Sequence, residues 1–175
     1  MSDSTSAALS KMRVFRELSA DEVGRLVDVG RVEYWQAGAR VLEEGSHGPR
    51  LMVLLEGSVE VLRSDAEGTA RSIAQLGPGE VLGEMSLLLD LPRTATVRAL
   101  TDLRVFAMDR TAFEKLVQNG DPAVLKLGLE LSRMLALRVM RLNERVVSLL
   151  AASDAHEPLQ REFGQARQEL FNLWE

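Results

Sequence analysis

The sequence predicts a mainly β protein: an antiparallel β-roll of the jelly-roll type, flanked by helices. Three observations predict it. Short runs of strand-forming residues recur at roughly 8–12-residue spacing. Glycine-bearing turns separate them, among them Ala37-Gly38-Ala39, Glu56-Gly57 and Gly77-Pro78-Gly79. Long helical periodicity is confined to the two ends of the chain.

Residues 1–10 are small and polar, and are expected to be disordered. Ser19-Ala20-Asp21-Glu22 reads as a capping box, and Val23, Leu26 and Val27 continue it at helical spacing as far as Gly30. From Arg31 the period shortens to two, and Val32, Tyr34 and Trp35 favour a strand. Val41-Leu42-Glu43-Glu44-Gly45 reads as strand and turn. Leu51–Leu55 is a buried strand, Ser58–Leu62 alternates, Asp65–Gly68 is a loop, and Ser72–Leu76 is the next strand. Leu103–Met108 closes the strand-rich part. Asp109 is placed to cap a helix bearing Phe113, Leu116 and Val117. Asp121-Pro122 then opens a long helix that runs to about residue 152. Leu135, Val139, Leu142, Val146 and Leu149 on it follow a four-three alternation, the spacing of a coiled-coil seam. Such a stripe packs either on its own roll or on a second copy, and a homodimer is the expectation. Beyond Ser153, the segment from Leu159 to Trp174 puts Phe163, Leu170, Phe171 and Trp174 near one face. It needs a cover: its own domain, a second subunit or a protein partner. The expected organisation is therefore 1–10 disordered, 11–120 β-roll with flanking helices, 121–152 long helix for lid and dimer contacts, and 153–175 amphipathic tail.

Composition excludes several chemistries. The 175 residues include no cysteine, so disulfides, thiolate metal sites and cysteine nucleophiles are ruled out. His47 and His156 are the only histidines and stand far apart, which argues against a histidine metal site. A formal net charge of −5 argues against a dedicated nucleic-acid binder. No apolar run reaches the roughly 20 residues of a membrane span, and no signal pattern opens the chain. A cytoplasmic protein is expected. No nucleophile–base pair stands out, so an enzyme is not expected.

One segment combines apolar and charged residues in an unusual way. Gly79 to Ala99 reads as strand, glycine turn, short apolar helix and strand, with Glu84 and Arg93 at either side of the leucines. Gly83 suits a sharp turn or a close backbone approach. Helical amides at Glu84–Ser86 would point outward with partial positive charge. Arg93, after Pro92, offers a planar fork suited to phosphate, and ionised Glu84 suits a sugar hydroxyl. Spacing alone leaves a second reading open, a buried Glu84–Arg93 ion pair that closes a loop.

These residues resemble the phosphate-binding cassette of cyclic nucleotide-binding domains. The matching elements are Gly83-Glu84, the apolar helix Met85–Leu89, and Pro92-Arg93-Thr94-Ala95-Thr96-Val97. The likeness extends from about Leu18 to residue 152, through Ala37-Gly38, Val41–Gly45, Leu55–Val61 and the long helix. Leu82 stands where the family usually has phenylalanine. The resemblance implies that Arg93 binds the cyclic phosphate and Glu84 the ribose 2′-hydroxyl. Amides near Met85, Ser86, Thr94 and Ala95 would complete the cradle, with Gly83 also part of the ligand site. The Thr94 hydroxyl would add a bond to the phosphate or the purine edge. Ile73 and Leu82 would wall the apolar side, with Leu142 and Asn143 as a lid. It implies cyclic AMP or cyclic GMP as ligand. Thr94 suits either base, and Ala74, with no polar group for adenine, leaves only a slight lean to cyclic AMP. A stand-alone sensor is expected, acting through the long helix on a dimer or partner. The alternatives are a ligand-independent interaction module and a regulatory fragment of a larger protein. Residues 153–175 are too short for a winged helix-turn-helix, so direct DNA binding is not expected.

Overall fold

The computed structural model describes residues 2–48, 50–89 and 91–153. Contacts divide the chain into two units, Met1–Leu131 and Ser132–Glu175.

In the first unit, helices α1 (Ser2–Leu9) and α2 (Ala20–Val29) precede the strands, with a 3-10 turn at Arg13–Phe15 between them. The disorder expected over residues 1–10 is corrected here. Thr5 and Leu9, four apart, are buried on one face of α1, and α1 packs on α2. The fixing force is tertiary, which is why a polar composition concealed it. The capping box of α2 forms as the sequence predicts: the Glu22 amide donates to Ser19 Oγ at 3.3 Å, and the Ser19 amide donates to Glu22 Oε2 at 2.7 Å.

Eight strands follow: β1 (Arg31–Trp35), β2 (Arg40–Leu42), β3 (Arg50–Glu56), β4 (Val59–Ser64), β5 (Ala70–Leu76), β6 (Val81–Leu82), β7 (Thr96–Ala99) and β8 (Leu103–Asp109). They form two antiparallel four-stranded sheets, ordered β1-β8-β3-β6 and β2-β7-β4-β5. This is the β-roll that the turn spacing predicts. Its interior is filled by Val41, Met52, Leu54, Val59, Leu82, Val97, Ala99, Leu103, Val105 and Ala107. On β3 the alternate residues Leu51 and Val53 are also buried, outside that cluster. So β3 is covered on both faces, and its five-residue apolar run, Leu51–Leu55, reflects that. The β5 strand is the opposite case, an edge strand exposed along most of its length.

Between β6 and β7 lies the short helix α3 (Glu84–Leu89). After β8 come α4 (Arg110–Gln118) and α5 (Pro122–Ser153). Asp109 precedes α4 but does not cap it: its carboxylate accepts from Arg31 Nη1 at 2.7 Å instead. Asp121 does cap α5, Oδ1 accepting from the Ala123 amide at 2.8 Å. The first turns of α5 belong to the first unit, where Ala123, Val124, Leu127 and Leu131 are buried at helical spacing. The division between the two compact units thus falls within α5, between Leu131 and Ser132. In the second unit, α5 continues to Ser153, with Val139, Leu142 and Leu149 of the predicted seam exposed. The tail beyond Ser153 lies outside the described residues.

Candidate functional site

The site is built where α3 meets the loop ahead of β3. Gly83 turns the chain out of β6 with φ +75°, a conformation that disfavours any residue with a Cβ. A Cβ there would lie 2.3 Å from Arg93 Nη1 and 2.5 Å from the Arg50 carbonyl oxygen. Glycine therefore makes room for the arginine as well as for the turn. The Leu87 amide donates back to the Gly83 carbonyl at 3.2 Å. The amides of Glu84, Met85 and Ser86 precede that bond, in the turn where a helix has no backbone acceptors of its own.

Arg93 is held from both its backbone and its side chain. Its amide donates to the Ser46 carbonyl at 2.9 Å, and the Gly45 amide donates to the Arg93 carbonyl at 2.8 Å. Its Nη1 donates to the carbonyls of Arg50 and Gly83, each at 3.3 Å. Its Nη2 donates to the Arg50 carbonyl at 3.3 Å and, more closely, to the Gly48 carbonyl. The residue is only 5 % exposed. Burial holds its proton affinity below the ordinary arginine value; the Arg50 charge pushes the same way, and Glu84 opposes both. Glu84 is itself buried, at 6 % exposure. Neither sequence-level reading of the pair is complete. The two charges do sense one another, but the guanidinium's own hydrogen bonds among the described residues end on neutral carbonyls.

Other predicted residues gather at the same place. Ser86 is buried and Met85 partly exposed. The Thr94 hydroxyl lies 3.9 Å from Met85 Sδ, which joins the start of α3 to the segment after Pro92. Ala95 follows on that segment. Leu82 is buried in the roll interior opposite Met52. Ile73 is 58 % exposed. The register of β4 on β5 passes from Val61↔Ala74 to Leu62↔Ser72, so Ile73 is the extra residue of a bulge, pushed out of the ladder. Leu142 and Asn143 are exposed positions of the second unit, Leu142 at 62 %. Sequence reasoning missed the contribution of Gly45, Ser46, Gly48 and Arg50. They act through main-chain atoms, and the one available signal was the glycine spacing of Gly45-Ser46-His47-Gly48 just before a buried strand.

A separate groove of about 640 Å³ lies between α1, the end of α2 and strands β1 and β8, lined by Thr5, Tyr34, Arg104 and Phe106 among others. Both guanidiniums that line it are already paired: Arg104 Nη1 donates to Glu56 Oε1 at 2.6 Å, and Arg31 Nη1 to Asp109 Oδ2 at 2.7 Å. No group of three or more metal-ligating side chains occurs among the described residues. Nor is any described helix long and apolar enough to cross a membrane.

With this geometry in place, likeness to known proteins is informative. A profile described as the cyclic nucleotide-binding domain matches residues 32–119, just over half of the chain. Over 112 residues the chain is 32 % identical to the cGMP-dependent protein kinase egl-4 of Caenorhabditis briggsae, covering 64 % of this chain and 14 % of the kinase. Over 142 residues it is 26 % identical to the CRP-like cAMP-activated global transcriptional regulator of Mycobacterium tuberculosis (strain CDC 1551 / Oshkosh), covering 81 % of this chain and 62 % of the regulator. The Thermus thermophilus catabolite activator protein superposes with a TM-score of 0.70 at 27 % identity, over 79 % of this chain and 63 % of that one. The chain spans less than two thirds of each of these relatives.

Proposed function

The chain belongs to the cyclic nucleotide-binding domain family, and from that premise we propose that it is a cyclic-nucleotide sensor whose ligand, cyclic AMP in first place, sits at Arg93 and Glu84. One observation carries the reading: a buried guanidinium whose hydrogen bonds, among the described residues, all end on neutral carbonyls. Carbonyl dipoles orient the fork but supply no countercharge, so a phosphate beside it adds to what Glu84 alone supplies. The Arg93 fork would receive the exocyclic oxygens of the cyclic phosphate, with the amides of Met85, Ser86, Thr94 and Ala95 around it. Glu84 would accept from the ribose 2′-hydroxyl. The missing Cβ of Gly83 leaves the arginine its place.

Each charge-assisted bond contributes about 1.5–3 kcal/mol net, and micromolar affinity needs about 8 kcal/mol. Several such bonds with burial of a purine reach that figure. Titration calorimetry with cyclic AMP and cyclic GMP tests the reading. Micromolar or tighter binding of either supports a sensor, and a preference for cyclic GMP would reverse the choice of base. No binding of either would leave a ligand-independent interaction module.

The output is proposed to run through α5. The exposed Val139, Leu142 and Leu149 support pairing with a second copy along the seam. A ligand that favours one of two arrangements of such a helix shifts a dimer or partner equilibrium. Light scattering with and without nucleotide tests this. A monomer under both conditions would remove the dimer from the proposal.

A further inference from the structure

Arg50 belongs to two structures at once. Its carbonyl accepts from both terminal nitrogens of Arg93. Its side chain instead joins a ring of four charges at one end of the first sheet. Arg50 Nη1 donates to Glu33 Oε1 at 2.9 Å, and Arg31 Nε donates to the same oxygen at 2.8 Å. Arg31 Nη1 donates to Asp109 Oδ2 at 2.7 Å, and Arg50 Nε lies 3.8 Å from Asp109 Oδ1. Register explains the ring. Arg50 opens β3 directly across from Asp109, the last residue of β8, and β1 lies on the other side of β8. Two arginines and two carboxylates make the ring neutral, so the guanidinium of Arg50, the residue whose carbonyl meets Arg93, is compensated within its own ring.

We propose that Glu33 and Asp109, by neutralising Arg50 in this ring, set the charge preference of the ligand site, favouring a singly charged phosphodiester over a doubly charged phosphomonoester. The proposal rests on the ligand reading above. Coulomb energy scales with the product of the charges. An added uncompensated positive charge beside Arg93 therefore favours a dianion about twice as strongly as a monoanion. A cyclic nucleotide carries one phosphate charge, and the corresponding 5′-monophosphate carries between one and two near neutral pH. The Arg50 charge lowers the proton affinity of Arg93 even with the ring in place, so the two carboxylates offset it there only in part, and removing them would leave it unopposed. Glu33 and Asp109 would then be positioning residues that never touch the ligand.

The test is calorimetry of the wild type and the Glu33→Gln/Asp109→Asn variant with cyclic AMP and with 5′-AMP, at low and at near-physiological salt. The ratio of cyclic to linear affinity is expected to fall about fivefold in the variant, and less at the higher salt because part of the ring is exposed. An unchanged ratio, including a parallel loss of both affinities, overturns the proposal and makes the ring a support for β3 only. Arg50→Met is the second variant, and it decides the question alone if the first does not fold. It leaves an excess carboxylate, so its ratio should shift the other way; no shift overturns the proposal. Wild type that binds neither nucleotide overturns the ligand reading and this inference together. Wild type that binds with an immovable ratio overturns this inference alone.

Discussion

Arg93 and Arg98 stand five residues apart on one stretch of chain and are held in opposite ways. Arg98 Nη2 donates to Glu60 Oε2 at 2.6 Å, at a half-exposed position on β7. Arg93 is buried and donates to three backbone carbonyls. The first arginine is neutralised by its partner and knits two strands together. The second is oriented by dipoles that fix its plane without cancelling its charge. What an arginine can do is therefore set by the kind of oxygen it meets together with its burial, and not by residue type alone.

The strongest way to break the comparison is to exchange the two sites' outcomes. Arg93→Ala is expected to lower cyclic-nucleotide affinity about a hundredfold, since a phosphate would lose charge-assisted bonds in a buried place. Arg98→Ala should leave affinity where it was. Calorimetry on both variants checks the pair, and equal effects would erase the distinction. Arg93→Lys keeps the charge but not the fork, and should recover only part of the loss. Next in size is Gly83→Ala. Its Cβ would meet Arg93 Nη1 at 2.3 Å on a backbone at φ +75°. A stability loss of about 1–3 kcal/mol is expected, with weaker nucleotide binding as the guanidinium is displaced. Denaturant unfolding together with calorimetry reads both. Alanine at Gly68, where a Cβ meets nothing within 4 Å, bears the backbone strain at φ +80° without the clash, and should spare affinity.

How far the sequence disclosed this follows from where the information sits. The roll was legible because period-two runs and glycine turns are local. The capping box at Ser19–Glu22 and the helix at Glu84–Leu89 were legible for the same reason. Arg93 and Glu84 stood out as charges inside an apolar segment. The carbonyls of Gly48 and Arg50 did not, because a main-chain oxygen carries no residue signature. Helix α1 was missed since Thr5 and Leu9 find their cover only in the folded chain. Asp109 was read as a cap from its place before a helix, and the nearby Arg31 outcompetes the helix amides for its carboxylate. The bulge at Ile73 depends on pairing with β4, which no local pattern records.

The smallest expected effect sharpens the same contrast by acid. Carboxylates titrate and carbonyls do not, so the arginines held by acids should loosen first as pH falls. The Arg25 guanidinium, donating from Nε to Asp121 Oδ2 at 2.8 Å, holds the Asp121 carboxyl below its ordinary 3.8, as does the Ala123 amide. Arg31 does the same for Asp109, and Lys126 holds Glu22 below its ordinary 4.5. In each case the folded value lies below the unfolded one. Such a group contributes stability that is fully present above the unfolded value and is lost as pH falls through the folded value. The melting temperature should thus lose these contributions only below about pH 4.5, within the range set by those carboxyls. Asp121→Asn keeps an oxygen to cap Ala123 but removes the charge facing Arg25. Its melting temperature should lie slightly below that of the wild type near neutral pH, and the gap should close as pH falls below 3.8 toward the depressed value of Asp121. A gap that stays constant down through that range would mean that packing, and not the charge pair, ties α2 to the start of α5.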